Sequence, residues 1–169
     1  MNVQAMPKPP ASAVDERTFL GTYLETLSIV ERLHRLLLDV VKDEFERLGI
    51  IDINSVQALL LFNIGENEVT AGELKSRGYY QGSNVSYNLK KLVEANYMHH
   101  QKCAVDRRAV RVRLTEKGRD VRHMVAELFA RHSATLLGKQ VVEGEQLDDL
   151  NIMMRRIERF WTDQIRFIY

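Results

Sequence analysis

The segment Val69–Thr115, VTAGELKSRGYYQGSNVSYNLKKLVEANYMHHQKCAVDRRAVRVRLT, decides how this chain folds. Thr70 followed by Glu73 is a capping-box pair that can open a short helix, Ala71 to Arg77. Gly78 breaks that helix, and Tyr79-Tyr80-Gln81-Gly82 makes the turn. A second helix is expected from Ser83, as N-cap, to about Ala95. Its Val85, Leu89, Leu92 and Val93 are spaced to pack inward, leaving Asn84, Ser86, Tyr87, Asn88, Lys90 and Lys91 outward or flanking. Asn96 follows where a left-handed residue is needed, a conformation Asn tolerates better than any residue but Gly. Tyr97–Cys103 and Ala109–Leu114 then alternate as paired strands around the tip Ala104–Arg108. Two helices, a turn and a β-hairpin in this order make a winged helix-turn-helix.

The flanking sequence reads as long helix. From about Asp15 to Leu48, Phe19, Tyr23, Leu27, Val30, Leu33, Leu37, Val41, Phe45 and Leu48 recur at offsets of three and four, with Leu20, Leu24 and Leu36 beside them. Gly49 is placed to stop this helix. Asp52 or Asn54 can cap the next, whose apolar side is Val56, Leu59, Leu60 and Phe62 and whose stop is Gly65. Glu68-Val69-Thr70 is short enough for a single β-bridge. Thr115 can cap a long helix to about Leu137, with Val121, Met124, Val125, Leu128, Phe129 and Leu136 as its stripe and Gly138 as its end. A last helix, about Glu143 to Ile168, carries Leu147, Leu150, Met153, Met154, Ile157, Phe160, Trp161, Ile165 and Ile168.

The expected fold is mainly α with a small β-hairpin. Residues 1–14 form a disordered tail holding all three prolines, 15–53 a dimerisation helix and 54–115 the winged helix-turn-helix. Residues 116–169 form C-terminal helices that complete the dimer interface. At about 25 cal/mol per Å2, burying Phe160, Trp161, Phe167 and Tyr169 favours association by several kcal/mol before entropic costs.

Charge points to the partner. Lys75 to Arg122 holds twelve cations and four anions, a net +8, so with a chain total of +1 the remainder carries −7. A basic middle between acidic ends is the footprint of a nucleic-acid module in a non-binding frame. Ser86 and its neighbours at the start of the second helix are short and polar, suited to base edges, while Lys90 and Lys91 suit phosphates. An arginine at the hairpin tip can enter a narrow minor groove, with Asp106 holding its neighbour by a charge-assisted hydrogen bond.

Enzyme chemistry finds little support. There is no phosphate-cradling glycine loop, no HExxH and no paired cysteine motif. His99 and His100 are strand neighbours on opposite faces, and His123 and His132 lie nine apart on one helix, so neither pair chelates a metal readily. No metal or other cofactor is expected. One cysteine, Cys103, fits a reducing cytoplasm. It is also the candidate for a thiol switch, with Lys102 and the wing arginines lowering its pKa. No apolar run approaches membrane-span length, and no signal peptide is evident.

From Val69 to Gly118 the chain resembles the MarR family of winged-helix regulators. The resemblance rests on SNVSYNLKKLVEANYM (83–98), DRRAVRVRLT (106–115) and TEKG (115–118), and the flanking helices extend it from about Phe19 to the C-terminus. GYYQGSNVSYNLKKLV (78–93) further resembles an alphaproteobacterial subgroup linked to cell-envelope and stress genes. The resemblance implies a homodimer on a palindromic operator in double-stranded DNA, repressing its own or a neighbouring gene until a small molecule releases it. By position, Ser83, Asn84, Ser86 and Tyr87 fall where the family reads bases. Lys90 and Lys91 fall at backbone contacts, and Arg107 and Arg108 at wing contacts. Tyr87 stands where the family often has arginine, and Asn96 replaces the usual glycine. The family's effectors bind between the dimer helices and the winged helix, where Tyr23, Leu27, His34, Phe62 and Met124 are lining candidates that core packing explains equally well. The rival reading is a helical module whose winged helix binds a protein partner.

Overall fold

Helix caps and glycine stops parcel the described residues into five helices and three short strands. The computed structural model describes residues 15–66, 68–70, 73–74, 82–102 and 110–168, the side chains of 82–84, 102, 110 and 168 excepted. The proposed tail therefore lies outside the described residues, as do most of the first helix of the motif, the turn after it and the wing tip. The chain divides into two units, Met1–Gly49 and Ile50–Tyr169.

The first unit is α1, Glu16–Arg47, a helix of about 48 Å at 1.5 Å per residue. Asp15 caps it, accepting from the Arg17 amide and the Thr18 hydroxyl. Gly49 follows with φ +73°, the left-handed conformation that ends a helix without a Cβ penalty. Val41 and Phe45 are buried, whereas Phe19, Leu20, Leu24, Leu33 and Leu36 are more than half exposed.

The second unit holds the core. In α2, Ser55–Ile64, Asn54 supplies the cap: its side chain accepts from the Gln57 amide and Gln57 returns a carboxamide oxygen to the Asn54 amide. Asp52, the other candidate cap, is used elsewhere. Ala58, Leu59, Leu60, Leu61 and Ile64 are all buried, so this helix is enclosed on several sides. It packs on α4, Glu116–Gly138, where the Phe62 and Phe129 rings meet edge-to-face at 5.3 Å. Val121, Val125 and Leu128 of α4 are buried, but Leu136, expected in the same stripe, is exposed.

Between α2 and α4 the chain forms β1 (Val69–Thr70), α3 (Gly82–Glu94), β2 (Met98–Lys102) and β3 (Val110–Leu114). The sheet is antiparallel in the order β1-β3-β2, with Val69 opposite Val112 and Met98 opposite Leu114. Val112 and Leu114 are buried while Arg111 and Arg113 are exposed, the alternation expected of a half-buried strand. The Thr70–Glu73 capping box forms, and Leu74 is fully buried.

Two boundaries differ from expectation. Helix α3 starts at Gly82, so Ser83 lies in its first turn rather than capping it. Gly138 is the last residue of α4, and the left-handed position is Gln140, at φ +51°. The amides of Gln140 and Val141 return to the carbonyls of Leu137 and Leu136, the paired bonds of a Schellman cap, which Gly138 sits too early to make. The last helix, α5, runs Gly144–Ile168, with Leu147, Leu150, Met153, Phe160, Trp161 and Ile165 exposed.

Candidate nucleic-acid interface

The interface is built on α3, whose two faces differ in chemistry. Val85, Leu89 and Leu92 are buried at spacings of four and three. Ser86, Tyr87, Lys90 and Lys91 are exposed, Tyr87 to 61%. Offsets of three and four place them in one stripe along a helix slim enough to enter a major groove. Ser83 and Asn84 stand in the first turn on the same element, with their side chains outside the described residues.

The cations of α3 are paired within the helix. Lys91 Nζ lies 3.1 Å from Glu94 Oε2 and Lys90 Nζ 3.8 Å from Glu94 Oε1. Lys91 also stands 6.0 Å from the Tyr87 ring centroid, an i,i+4 cation–π contact. The Glu94 hydrogen bond and charge, then Tyr87, raise the Lys91 pKa, so its ammonium holds its charge at neutral pH. Glu94 is thus shared by two lysines.

The far end of α3 is clamped. Tyr97 and Asn96 donate their amides to the carbonyls of Leu92 and Val93, and Asn96 has φ +60°, which completes a Schellman motif as expected for that residue. Thr115 locks this turn from the other side: its hydroxyl donates to the Asn96 carbonyl at 2.8 Å and accepts from the Gly118 amide. Gly118 packs so closely that an added Cβ would overlap the Tyr97 carbonyl oxygen. The TEKG segment is therefore a buttress for the helix end. Tyr97 is 1% exposed, and its hydroxyl donates to Asp52 Oδ1 at 2.8 Å. Lys117 donates to Asp52 Oδ2 at 2.8 Å and lies 4.0 Å from the Tyr97 ring centroid.

Sequence reading missed this network. The available signals were an acid two residues before the cap position and a glycine in the third position of a helix, where glycine has no helical merit of its own.

Asp106, Arg107, Arg108 and Cys103 lie outside the described residues. The effector candidates fall in both units. Tyr23 and Leu27 are half-buried and His34 exposed on α1, whereas Phe62 packs on Phe129 and Met124 is half-buried on α4. A groove of about 470 Å3 runs instead beside α3, lined by Ser86, Leu89, Lys90, Val93, Glu94, His100 and Val112. Among the described residues no group of three or more His, Cys, Asp or Glu side chains is placed to hold a metal ion, and no helix is long and apolar enough to cross a membrane.

Comparison with known proteins agrees with this geometry. A family model for the winged helix DNA-binding domain matches residues 53–118. The exopolysaccharide II synthesis transcriptional activator ExpG of Rhizobium meliloti (strain 1021) is 35% identical over 162 residues, covering 94% of this chain and 81% of that protein. Among solved structures, the regulator SlyA superposes with a TM-score of 0.70 at 18% identity, over 85% of this chain and 99% of its own. Staphylococcus aureus MarR in complex with salicylate and kanamycin gives 0.68 at 19%, over 86% and 96%. A mutant E. coli MarR complexed with operator DNA gives 0.64 at 16%, over 85% and 99%. At these identities the structures establish a shared fold.

Proposed function

Because the chain belongs to the MarR family of winged-helix transcriptional regulators and is not an enzyme, we propose that it acts in the cytoplasm as a homodimer on a palindromic operator. In this reading it represses its own or a neighbouring gene and is released by a small molecule. The observation that carries the reading is the exposed stripe Ser86-Tyr87-Lys90-Lys91 on a helix buttressed at its far end. Tyr87, with Ser83, Asn84 and Ser86, reads base edges, and Lys90, Lys91, Arg107 and Arg108 hold phosphates, Asp106 positioning the wing arginines.

Dimerisation draws support from two apolar faces. Among the described residues, seven large apolar side chains of α1 and eight of α5 stand exposed in the single chain, and apolar surface on that scale marks an interaction face. Sedimentation is expected to give twice the chain mass of 19.6 kDa. The effector step is supported by the salicylate and kanamycin complex of the Staphylococcus aureus relative. A second reading concerns the sign of control: the Rhizobium meliloti relative is named an activator of exopolysaccharide II synthesis, which favours activation of cell-surface polysaccharide genes.

Fluorescence anisotropy across a salt series tests the core of this. Binding that prefers the DNA upstream of the gene over a shuffled duplex is expected, with log affinity falling by about 0.9 per phosphate contacted for each decade of salt. A flat salt response would move the assignment to a protein-binding module. Tyr87→Ala is expected to lose about 1–3 kcal/mol of discrimination at one base position; an unchanged preferred sequence would remove Tyr87 from base reading. Transcripts of the neighbouring genes in a deletion strain rise for a repressor and fall for an activator.

A further inference from the structure

We propose that Asp52, Tyr97 and Lys117 form a positioning device that sets the pose of the recognition helix α3, so that sequence discrimination depends on three side chains that make no base contact. The proposal rests on the reading of α3 as the base-reading helix. The geometry is particular. Asp52 precedes α2, Tyr97 terminates the turn after α3, and Lys117 lies in the first turn of α4. One carboxylate thus joins three elements, Oδ1 accepting from the Tyr97 hydroxyl and Oδ2 from the Lys117 ammonium, each at 2.8 Å. Lys117 also reaches the carbonyl of Ala95, the residue that follows α3, at 3.4 Å.

A surface ion pair alone would carry little, and the Asp52 and Lys117 side chains are 52% and 45% exposed. The difference lies in Tyr97. Its ring is buried and covered by the Lys117 ammonium, so without Asp52 its hydroxyl has lost its charged acceptor in a desolvated place. The Tyr97 backbone is meanwhile held twice, by Leu92 within the helix cap and by Thr115 ahead of α4. A shift of the Tyr97 side chain must therefore be transmitted to the last turn of α3. That turn carries Lys90, Lys91 and Glu94, while Tyr87 lies one turn before it. Base reading needs donors and acceptors placed to hydrogen-bond tolerance, whereas phosphate contacts from long lysines adapt to a small tilt. Loosening the device should therefore cost discrimination before it costs affinity.

The test uses the full chain and a preferred duplex selected by the wild type from a random-sequence library, with a shuffled duplex as reference. Tyr97→Phe, which keeps the ring and removes only the hydroxyl, and Asp52→Asn are each expected to lower the preferred-to-shuffled affinity ratio about tenfold. The salt slope should stay unchanged, and the double variant should lose no more than either single. Lys117→Arg should retain most of the ratio and Lys117→Met lose it. In the free protein, amide exchange at Val93–Tyr97 should quicken in Tyr97→Phe, a readout independent of DNA. Unchanged exchange, an unchanged ratio, or equal losses on both duplexes would each overturn the positioning role. Failure of the wild type to select any sequence would overturn instead the reading of α3 itself, before any variant is compared.

Discussion

Gly118→Ala is the sharpest test of how the winged helix is held together. In an open helix this substitution is favourable, because Ala loses less backbone entropy than Gly, by about 0.5–1 kcal/mol. At Gly118 the added Cβ would overlap the Tyr97 carbonyl oxygen, stand 3.2 Å from its carbon and touch Leu114 Cβ at 3.5 Å. The obstacle is backbone, and it cannot swing aside: the Tyr97 carbonyl accepts from the Thr115 amide at 3.1 Å and the Tyr97 amide donates to Leu92. Relief requires α4 to back away from the β2–β3 junction, straining the Thr115 bonds to Asn96 and Gly118. Overpacking of a rigid core costs about 1–3 kcal/mol or more, and weakening buried hydrogen bonds adds about 1 kcal/mol each. Set against the propensity gain, the net expectation is a loss of about 2–4 kcal/mol, or roughly 5–15 °C in Tm. Gly21→Ala is the matched control, since nothing lies within 4 Å of a Cβ there; it should raise stability by about 0.5–1 kcal/mol. Thermal unfolding by circular dichroism at one protein concentration compares the two. If Gly118→Ala melts at or above the wild type, the buttress argument fails.

Three further outcomes follow from the same geometry. Asn96→Gly should stabilise the chain by a few tenths to about 1 kcal/mol in denaturant unfolding, because glycine adopts the observed φ of +60° without a Cβ penalty; a loss would mean the Asn side chain makes an essential bond. Glu94→Gln should strengthen binding to any duplex about two- to fivefold in anisotropy, by freeing Lys90 and Lys91 for phosphates; weaker binding would show that Glu94 orders those lysines instead. The pH dependence of stability should also report Asp52. Hydrogen bonds from Lys117 and then Tyr97 lower its pKa, so its contribution is full above the ordinary aspartate value of about 3.9 and is lost as pH falls through the lower folded value. The gap between wild type and Asp52→Asn should accordingly close below about pH 4; a gap that persisted there would assign the effect to packing.

Much of this architecture is legible along the chain because it is local. Periodicity at three and four placed every long helix, since one face of each must find apolar neighbours or remain exposed. The Thr70–Glu73 and Thr115 caps, the left-handed Asn96 and Gly49, and the strand alternation of Val112 and Leu114 against Arg111 and Arg113 all depend on residues within a few positions of one another. The clustering of Lys90 and Lys91 with Ser86 and Tyr87 on one face is likewise helical arithmetic, as is the basic middle that drew attention to it.

Tertiary structure decided what depends on distant residues meeting. The choice between Asp52 and Asn54 as cap of α2 looked even along the chain; it is settled by Tyr97 and Lys117, 45 and 65 positions away, which claim the Asp52 carboxylate. The glycine of TEKG reads locally as a weak point in a helix, and only the approach of the Tyr97 carbonyl reveals it as the single residue that fits. Gln140 rather than Gly138 takes the left-handed turn after α4 because the cap bonds close on Leu136 and Leu137. Local sequence determines which face of a helix is apolar and where it can begin or end. Which atoms those faces and ends will touch is determined by packing, because contacts between residues far apart in the chain exist only once the elements have assembled.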